Sequence, residues 1–399
     1  MLKLYSGLCI LQGIKALAFS GLFFSTNPCL ESQPPCMGAP KNLKTSELPC
    51  HTRRKVGMLD FYKLAIFCLL FWDNIVYLKV YGGQIMTIER KRVKSSIGQK
   101  EVFENPFETL GRDLKQNEKL APHTTLGIGG EANFFYIARK PQDLIKVIQV
   151  AKESKIPFFV LGGGSNVLVS DSGFKGLVIK NRCKQIFLND NQITCQSGAL
   201  LDDLVGLSCE NSLSGLEFAA GIPGTVGGAV YGNAGAFGKT VGDLLTEAVI
   251  LNSRGNIERV EKGYFEFGYR ESKLKKTKEI LLSATFELKK KEKGEIKKEV
   301  QSNLEERRKR HPQKEKSAGC FFKNVSADGK KIPAGFLLEQ VSAKEMREGD
   351  AAVFQRHANI LMNSGKAKAE DVRRLANLLK RKVKEKFDID LEEEVVYLS

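Results

Sequence analysis

Three places in the sequence carry residue types and spacings that could do chemistry. Arg270 closes an aromatic run, Tyr264-Phe-Glu-Phe-Gly-Tyr-Arg-Glu-Ser272. An arginine there either makes a surface ion pair or grips a carboxylate with both ends of its fork. Cys320 stands on a small-residue turn, Ser317-Ala-Gly-Cys-Phe-Phe-Lys-Asn324. Such a thiol is either a small buried hydrophobe or, near basic groups, a proton donor or nucleophile. Glu392, Glu393 and Glu394 are adjacent in the terminal segment Ile389–Leu398. Val395 and Val396 imply that at least one of them points inward, where burial raises a carboxyl pKa and lets it manage protons.

Two glycine stretches lie upstream. Gly162-Gly-Gly-Ser-Asn166 follows the apolar run Ile156–Leu161 and precedes Val167–Val169. It lacks the Gly-Lys-Ser/Thr and ensuing helix of a P-loop, so it is either a tight hairpin or an anion nest of backbone N–H groups. Gly221–Gly238 holds seven glycines and no charge, interleaved with Ile, Val, Tyr and Phe. That composition is unlike a solvated linker, so its backbone is expected to pack closely on something. Gly127, Gly129 and Gly130 do not form a dinucleotide fingerprint, because an alternating strand rather than a helix follows them.

The elements that must position these residues are short. Ala132–Ala138, Ile156–Leu161, Val167–Val169, Leu177–Lys180, Gln192–Gln196 and Ala248–Leu251 read as strands. Helices are expected after Pro141, over Leu200–Asn211, over the charged Ile296–Arg310 and over Ala369–Phe387. The basic end of the third, Arg307–Arg310, reads as a solvated face or an anion patch. Glycine-punctuated strands with occasional helices indicate an α+β protein.

Composition sets the outer limits. The chain has 399 residues, enough for two or three domains, with 42% hydrophobic and 27% charged residues, as in ordinary globular proteins. A net charge of +16 suits anionic ligands in general. It is spread along the chain, and no aromatic-basic RNA-binding motif accompanies it, so no nucleic-acid partner is expected. With four histidines and no paired-cysteine spacing, no metal site is expected. Residues 1–85 differ from the rest: five of the nine cysteines fall there, with two interrupted apolar runs. A membrane anchor, a targeting segment and a start codon assigned too early compete, and the last is favoured, with Met86 as the start.

Taken together, His123-Thr-Thr-Leu-Gly-Ile-Gly-Gly130, Leu161-Gly-Gly-Gly-Ser-Asn-Val-Leu168, Gly221–Gly235, Gly268-Tyr-Arg-Glu-Ser272, Ala318-Gly-Cys-Phe-Phe-Lys-Asn324 and Leu391-Glu-Glu-Glu-Val395 resemble the UDP-N-acetylenolpyruvoylglucosamine reductase family. The match is in register from about residue 115 to the end, and the short chain between Arg270 and Cys320 resembles the type without an extra tyrosine-bearing loop.

The resemblance implies a two-subdomain FAD-binding fold of the vanillyl-alcohol-oxidase (PCMH) type over 86–290, divided near 185–195, then an α+β substrate-binding domain over 300–399. It implies a cytoplasmic enzyme of peptidoglycan precursor synthesis with FAD as cofactor and NADPH as co-substrate. Its substrate would be UDP-N-acetylglucosamine enolpyruvate, reduced to UDP-N-acetylmuramate. Arg270 and Glu394 then stabilise an enolate-like intermediate and Cys320, where serine is usual, donates the proton. Gly162, Gly163, Gly164, Ser165, Asn166, Val167, Gly221, Ile222, Pro223, Gly224, Thr225, Gly227 and Gly228 become FAD contacts. Arg310, Lys323 and Asn324 become ligands of the nucleotide diphosphate or sugar. The alternative is another FAD-dependent oxidoreductase of the same fold, which explains the glycines but not Arg270, Cys320 and Glu394 together.

Overall fold

The structure is a computed structural model that describes residues 78–81, 84–87, 113–327 and 330–399. The chain divides into two units, residues 1–98 and 99–399. In the first, Leu78–Tyr81 and Gln84–Thr87 form an antiparallel hairpin; the rest of the leader lies outside the described residues. Thr87–Lys119 reads from sequence as a charged entry segment with one short helix; residues 88–112 of it lie outside the described residues, and Leu114–Lys119 is a strand.

The second unit carries three sheets of four or five strands, besides two-stranded pairings, among the described residues. The first is mixed, in the order β1 (Leu114–Lys119), β2 (Glu131–Ala138), β5 (Phe174–Asn181), β3 (Phe158–Leu161). Helix α1 (Pro141–Glu153) starts on its proline and buries Leu144, Val147, Ile148 and Ala151 on one side of this sheet. The second sheet is antiparallel, in the order β9 (Ile257–Glu261), β8 (Leu245–Leu251), β10 (Ile280–Glu287), β7 (Gln192–Gln196), β6 (Ile186–Asn189). Its core takes in helix α2 (Leu201–Glu210) and the apolar side of α4 (Lys293–Arg310). The third sheet, β11 (Lys316–Cys320), β14 (Ile360–Asn363), β13 (Ala351–Val353), β12 (Arg347–Glu348), packs on α5 (Ala334–Glu339) and α6 (Ala369–Phe387). Val372, Leu375, Leu379 and Val383 are the buried stripe of α6, and Asp171 accepts from the Ala369 and Glu370 N–H groups at its start, at 2.8 and 3.1 Å.

Three expectations are corrected. Gly162–Asn166 is not a hairpin turn, because its flanking strands belong to different sheets: β3 pairs with β5, whereas β4 (Val167–Val169) pairs in parallel with the C-terminal strand β15 (Val396–Leu398). Within Gly221–Gly238 the sequence reading missed a helix, α3 (Val226–Tyr231), whose N-cap Thr225 accepts the Gly228 N–H. Its two glycines hide it from propensity. The terminal segment is a strand only over Val396–Leu398; Leu391–Val395 runs as extended chain against the Cys320 turn.

Candidate active site

The two glycine stretches pack on each other. A Cβ on Gly162 would lie 2.4 Å from Thr225 Oγ1, one on Gly163 would lie 2.9 Å from Gly224 Cα, and Ser165 Oγ donates to Pro223 O at 2.8 Å. Gly227 is equally tight against Ser197, and a Cβ on Gly221 would meet Leu304 and Arg307. Most of these glycines are therefore required by the protein's own packing. Gly228 differs: it is exposed and nothing but Thr225 Oγ1, at 3.7 Å, approaches its Cβ position. Gly164 has a left-handed φ of +75°, and among the described residues no acceptor takes the N–H groups of Gly163, Gly164, Ser165 or Asn166. A curved run of free donors of this kind is an anion nest. The residues present thus suit the phosphates of a dinucleotide such as FAD.

The C-terminal chain brings the other half of the site to this loop. Asn166 Nδ2 donates to Glu394 O at 3.1 Å and Val396 N to Asn166 O at 3.1 Å, while Glu394 N donates to Phe321 O at 2.8 Å. Glu394 is thereby fixed between the first glycine loop and the residue after Cys320. Its neighbours turn elsewhere: Glu392 pairs with Lys323, and Glu393 with Lys380. The alternation of an extended chain makes this division.

Arg270 completes the cluster. It adopts a left-handed φ of +58°, and its turn is lashed to the second glycine stretch. Asn233 Nδ2 donates to Gly268 O, Ser272 Oγ to Tyr231 O, Arg270 Nη2 to Gly235 O, and Lys275 Nζ to Arg270 O. Strain of this kind persists where surrounding contacts over-determine the backbone. Arg270 Nε lies 2.9 Å from Glu394 Oε1, yet it makes no aligned hydrogen bond. The contact is a close ion pair, with Nη2 engaged by Gly235 O and Nε not committed to an aligned bond.

Cys320 ends β11 after Gly319, at φ +75°, and the turn behind it is clamped by Asn359, which bonds both N–H and C=O of Phe322. Phe321 and Phe322 are buried beneath. The thiol is half-buried, and burial pushes its pKa up to about 11; Glu394 pushes the same way, and Arg270 and Arg307 oppose. Burial also raises the Glu394 carboxyl, against the pull of Arg270, Lys275 and Lys323. The site thus holds a protonated thiol, a guanidinium and a carboxyl that releases its proton late.

Residues 311–398 match the sequence family described as "UDP-N-acetylenolpyruvoylglucosamine reductase, C-terminal domain", and residues 132–261 one described as "FAD binding domain". The UDP-N-acetylenolpyruvoylglucosamine reductase of Desulforamulus reducens is 39% identical over 288 residues, 72% of this chain and 94% of that protein. That of Caldicellulosiruptor saccharolyticus is 38% identical over 300 residues, 74% of this chain and 96% of that protein. The crystal structure of the reductase from Thermus caldophilus aligns at a TM-score of 0.61 with 32% identity, over 71% of this chain and 98% of that one. The chain belongs to the UDP-N-acetylenolpyruvoylglucosamine reductase family.

For a reductase of this family, the three residues expected at the nucleotide are placed unequally. Arg310 is 67% exposed at the end of α4 and pairs with Glu306 one turn back, so it is not brought to the cluster. Lys323 lies close by, but its Nζ is held 2.6 Å from both Glu271 and Glu392. Asn324 is built into the frame, its Oδ1 accepting the Ala334 N–H at the start of α5 and its N–H donating to Tyr269 Oη. The basic residue that does turn inward is Arg307, which the sequence reading grouped with a solvated run. Its Nε is buried without a partner among the described residues, and Cys320, Arg270 and Asp202 act on its charge. Helical spacing carried the signal: Ile296, Val300, Asn303 and Arg307 share the inner face of α4.

Proposed function

We propose that this family member catalyses NADPH-dependent, FAD-mediated reduction of UDP-N-acetylglucosamine enolpyruvate to UDP-N-acetylmuramate. Cys320 serves as proton donor, and Arg270 and Glu394 hold the reacting enolpyruvyl group. The meeting of the Cys320 thiol, the Arg270–Glu394 pair and the first glycine loop on one C-terminal segment carries this reading.

When bound, FAD supplies hydride chemistry, drawing two electrons from NADPH and passing them to the enolpyruvyl double bond. Negative charge then develops on the adjacent carbon and spreads into the substrate carboxylate. Arg270 faces that charge with preorganised donors, which are worth most where water is excluded. The Cys320 S–H bond breaks as the new C–H bond forms, and the thiolate left behind is stabilised by Arg270 and Arg307, the two groups that lower its pKa. Solvent then returns the proton. A thiol held near 11 keeps its proton throughout the neutral range, so it is always loaded. Glu394, with its raised pKa, orients Arg270 with less repulsion toward the substrate carboxylate than an ordinary glutamate would exert.

The remaining expectations fit this reading. The two-subdomain PCMH-type arrangement over 86–290 and the substrate domain over 300–399 are proposed as the functional division, with a cytoplasmic location. No helix among the described residues is long and apolar enough to cross a membrane. The test is direct: protein reconstituted with FAD should be yellow and should oxidise NADPH only when the enolpyruvyl nucleotide sugar is added. A preparation that takes up no FAD, or that oxidises NADPH equally without that substrate, would overturn the assignment.

A further inference from the structure

Lys180 is the residue in the FAD-binding region that packing alone explains least. It lies in β5, is 5% exposed, and shares a sheet face with its register neighbours Ile137 on β2 and Leu161 on β3. That face is otherwise apolar, with Phe135, Val178 and Leu398. Its Nζ donates to the main-chain oxygen of His123 at 3.3 Å, and among the described residues no carboxylate pairs with it. Lysine is almost never fully buried unless paired, because desolvating an ammonium group is expensive. Burial and the nearby Arg182 pull its pKa down to about 8, so the amine still carries most of its charge at neutral pH.

The anion nest borders the same carbonyl. A Cβ on Gly164 would strike His123 O at 2.2 Å, so Lys180 Nζ and the Gly164 backbone flank one atom. Thr125 N also donates to Gly164 O, tying the 123–125 segment to the loop. One flank offers a buried cation without a counter-charge, and the other offers backbone donors without an acceptor. A phosphate-type anion satisfies both deficits at once.

We propose that Lys180 is the counter-ion for the diphosphate of bound FAD, acting together with the Gly163–Asn166 backbone. This rests on the FAD reading above. Both FAD and the nucleotide sugar carry a diphosphate; the FAD diphosphate is chosen because Lys180 lies on the sheet beneath the first glycine loop, inside the 132–261 FAD-binding match.

The test titrates protein stripped of flavin with FAD and with riboflavin, which lacks the diphosphate, following flavin fluorescence. Lys180→Met should raise the FAD Kd by about 10–100-fold, the range for losing a charged hydrogen-bonding partner, and leave riboflavin binding unchanged. Flavin-free Lys180→Met should melt no lower than the flavin-free parent, because a costly buried charge has gone, while its stabilisation by FAD shrinks. Lys180→Gln keeps a donor for His123 O without the charge and should show the same FAD-specific loss, which covers a Met variant that fails to fold. An FAD Kd within twofold of the parent would overturn the proposal, as would an equal loss for riboflavin. A changed KM for the nucleotide sugar at saturating FAD with an unchanged FAD Kd would move Lys180 to the substrate instead. If the unaltered protein binds no FAD, the flavin reading itself fails.

Discussion

Arg270 Nε and Glu394 Oε1 stand 2.9 Å apart, the arginine in a left-handed turn tied to the second glycine stretch and the glutamate on a chain tied to the first. Each residue is positioned by a different glycine segment, and the ion pair joins them. Breaking a half-buried pair leaves an uncompensated charge. Arg270→Met should therefore do two things: remove the donors that face the developing enolate, and raise the Glu394 pKa further. We expect kcat/KM for the enolpyruvyl substrate to fall by about 10²–10³-fold, the loss typical of one oxyanion-type donor. Reduction of the flavin by NADPH without substrate should change little. Stopped-flow measurement of the two half-reactions separates these outcomes.

Cys320 should behave as an acid rather than as a reactive thiol. With its pKa pushed to about 11, little thiolate exists at pH 7–8, and iodoacetamide should modify it more slowly than a free cysteine, with the rate still climbing above pH 9. Cys320→Ala should retain flavin reduction by NADPH and lose product formation, whereas Cys320→Ser should keep substantial turnover. Product formation by Cys320→Ala at a near-parental rate would remove Cys320 from the mechanism.

The glycines divide into two classes with opposite expected outcomes. Gly162→Ala places a methyl 2.4 Å from Thr225 Oγ1 and should destabilise the flavin-free protein by about 1–3 kcal/mol, as overpacking does. Gly228→Ala meets no protein atom closer than 3.7 Å and sits in a helix, so the flavin-free protein should be as stable or more so. If the exposed Gly228 faces the cofactor, its FAD affinity should nevertheless drop. Thermal melts with and without FAD read both effects.

Much of this was legible in the sequence because several signals agreed. Pro141 and the apolar residues after it marked α1, and the stripe of α6 was found with its observed bounds; Arg270 and Cys320 were candidates by residue type and context, whereas Glu394 was singled out from Glu392 and Glu393 only by the family resemblance. Long-range pairings were not legible. Nothing local shows that β15 returns to lie beside β4, so the sequence could not say what closes around Gly162–Asn166. Arg307 and Arg310 read alike as basic helix-end residues until the helical spacing from Ile296, Val300 and Asn303 is followed; Arg307 packs beside Gly221, while Arg310 stays in solvent. Asn324 entered only through the family resemblance, and nothing local foretold that its carbonyl oxygen also caps α5.

His311, next to that inward arginine, gives the fold a pH dependence. Burial, Arg307, His357 and Arg310 all disfavour its charged form and pull its pKa from 6.5 down to about 4; the His357 ring, 5.5 Å away, is shifted the same way. In the unfolded chain the same imidazole takes up its proton near 6.5. Between those values the unfolded state binds more protons than the folded one, so stability rises with pH across the window. The stabilisation is complete above about pH 6.5 and drains away as pH falls toward 4. At pH 5 the loss from His311 should be about 2 kcal/mol relative to pH 7. Urea titrations at pH 5 and pH 7 should show that difference in the parent protein and a smaller one in His311→Gln, whose side chain does not titrate. An unchanged difference in the variant would assign the acid sensitivity to other groups.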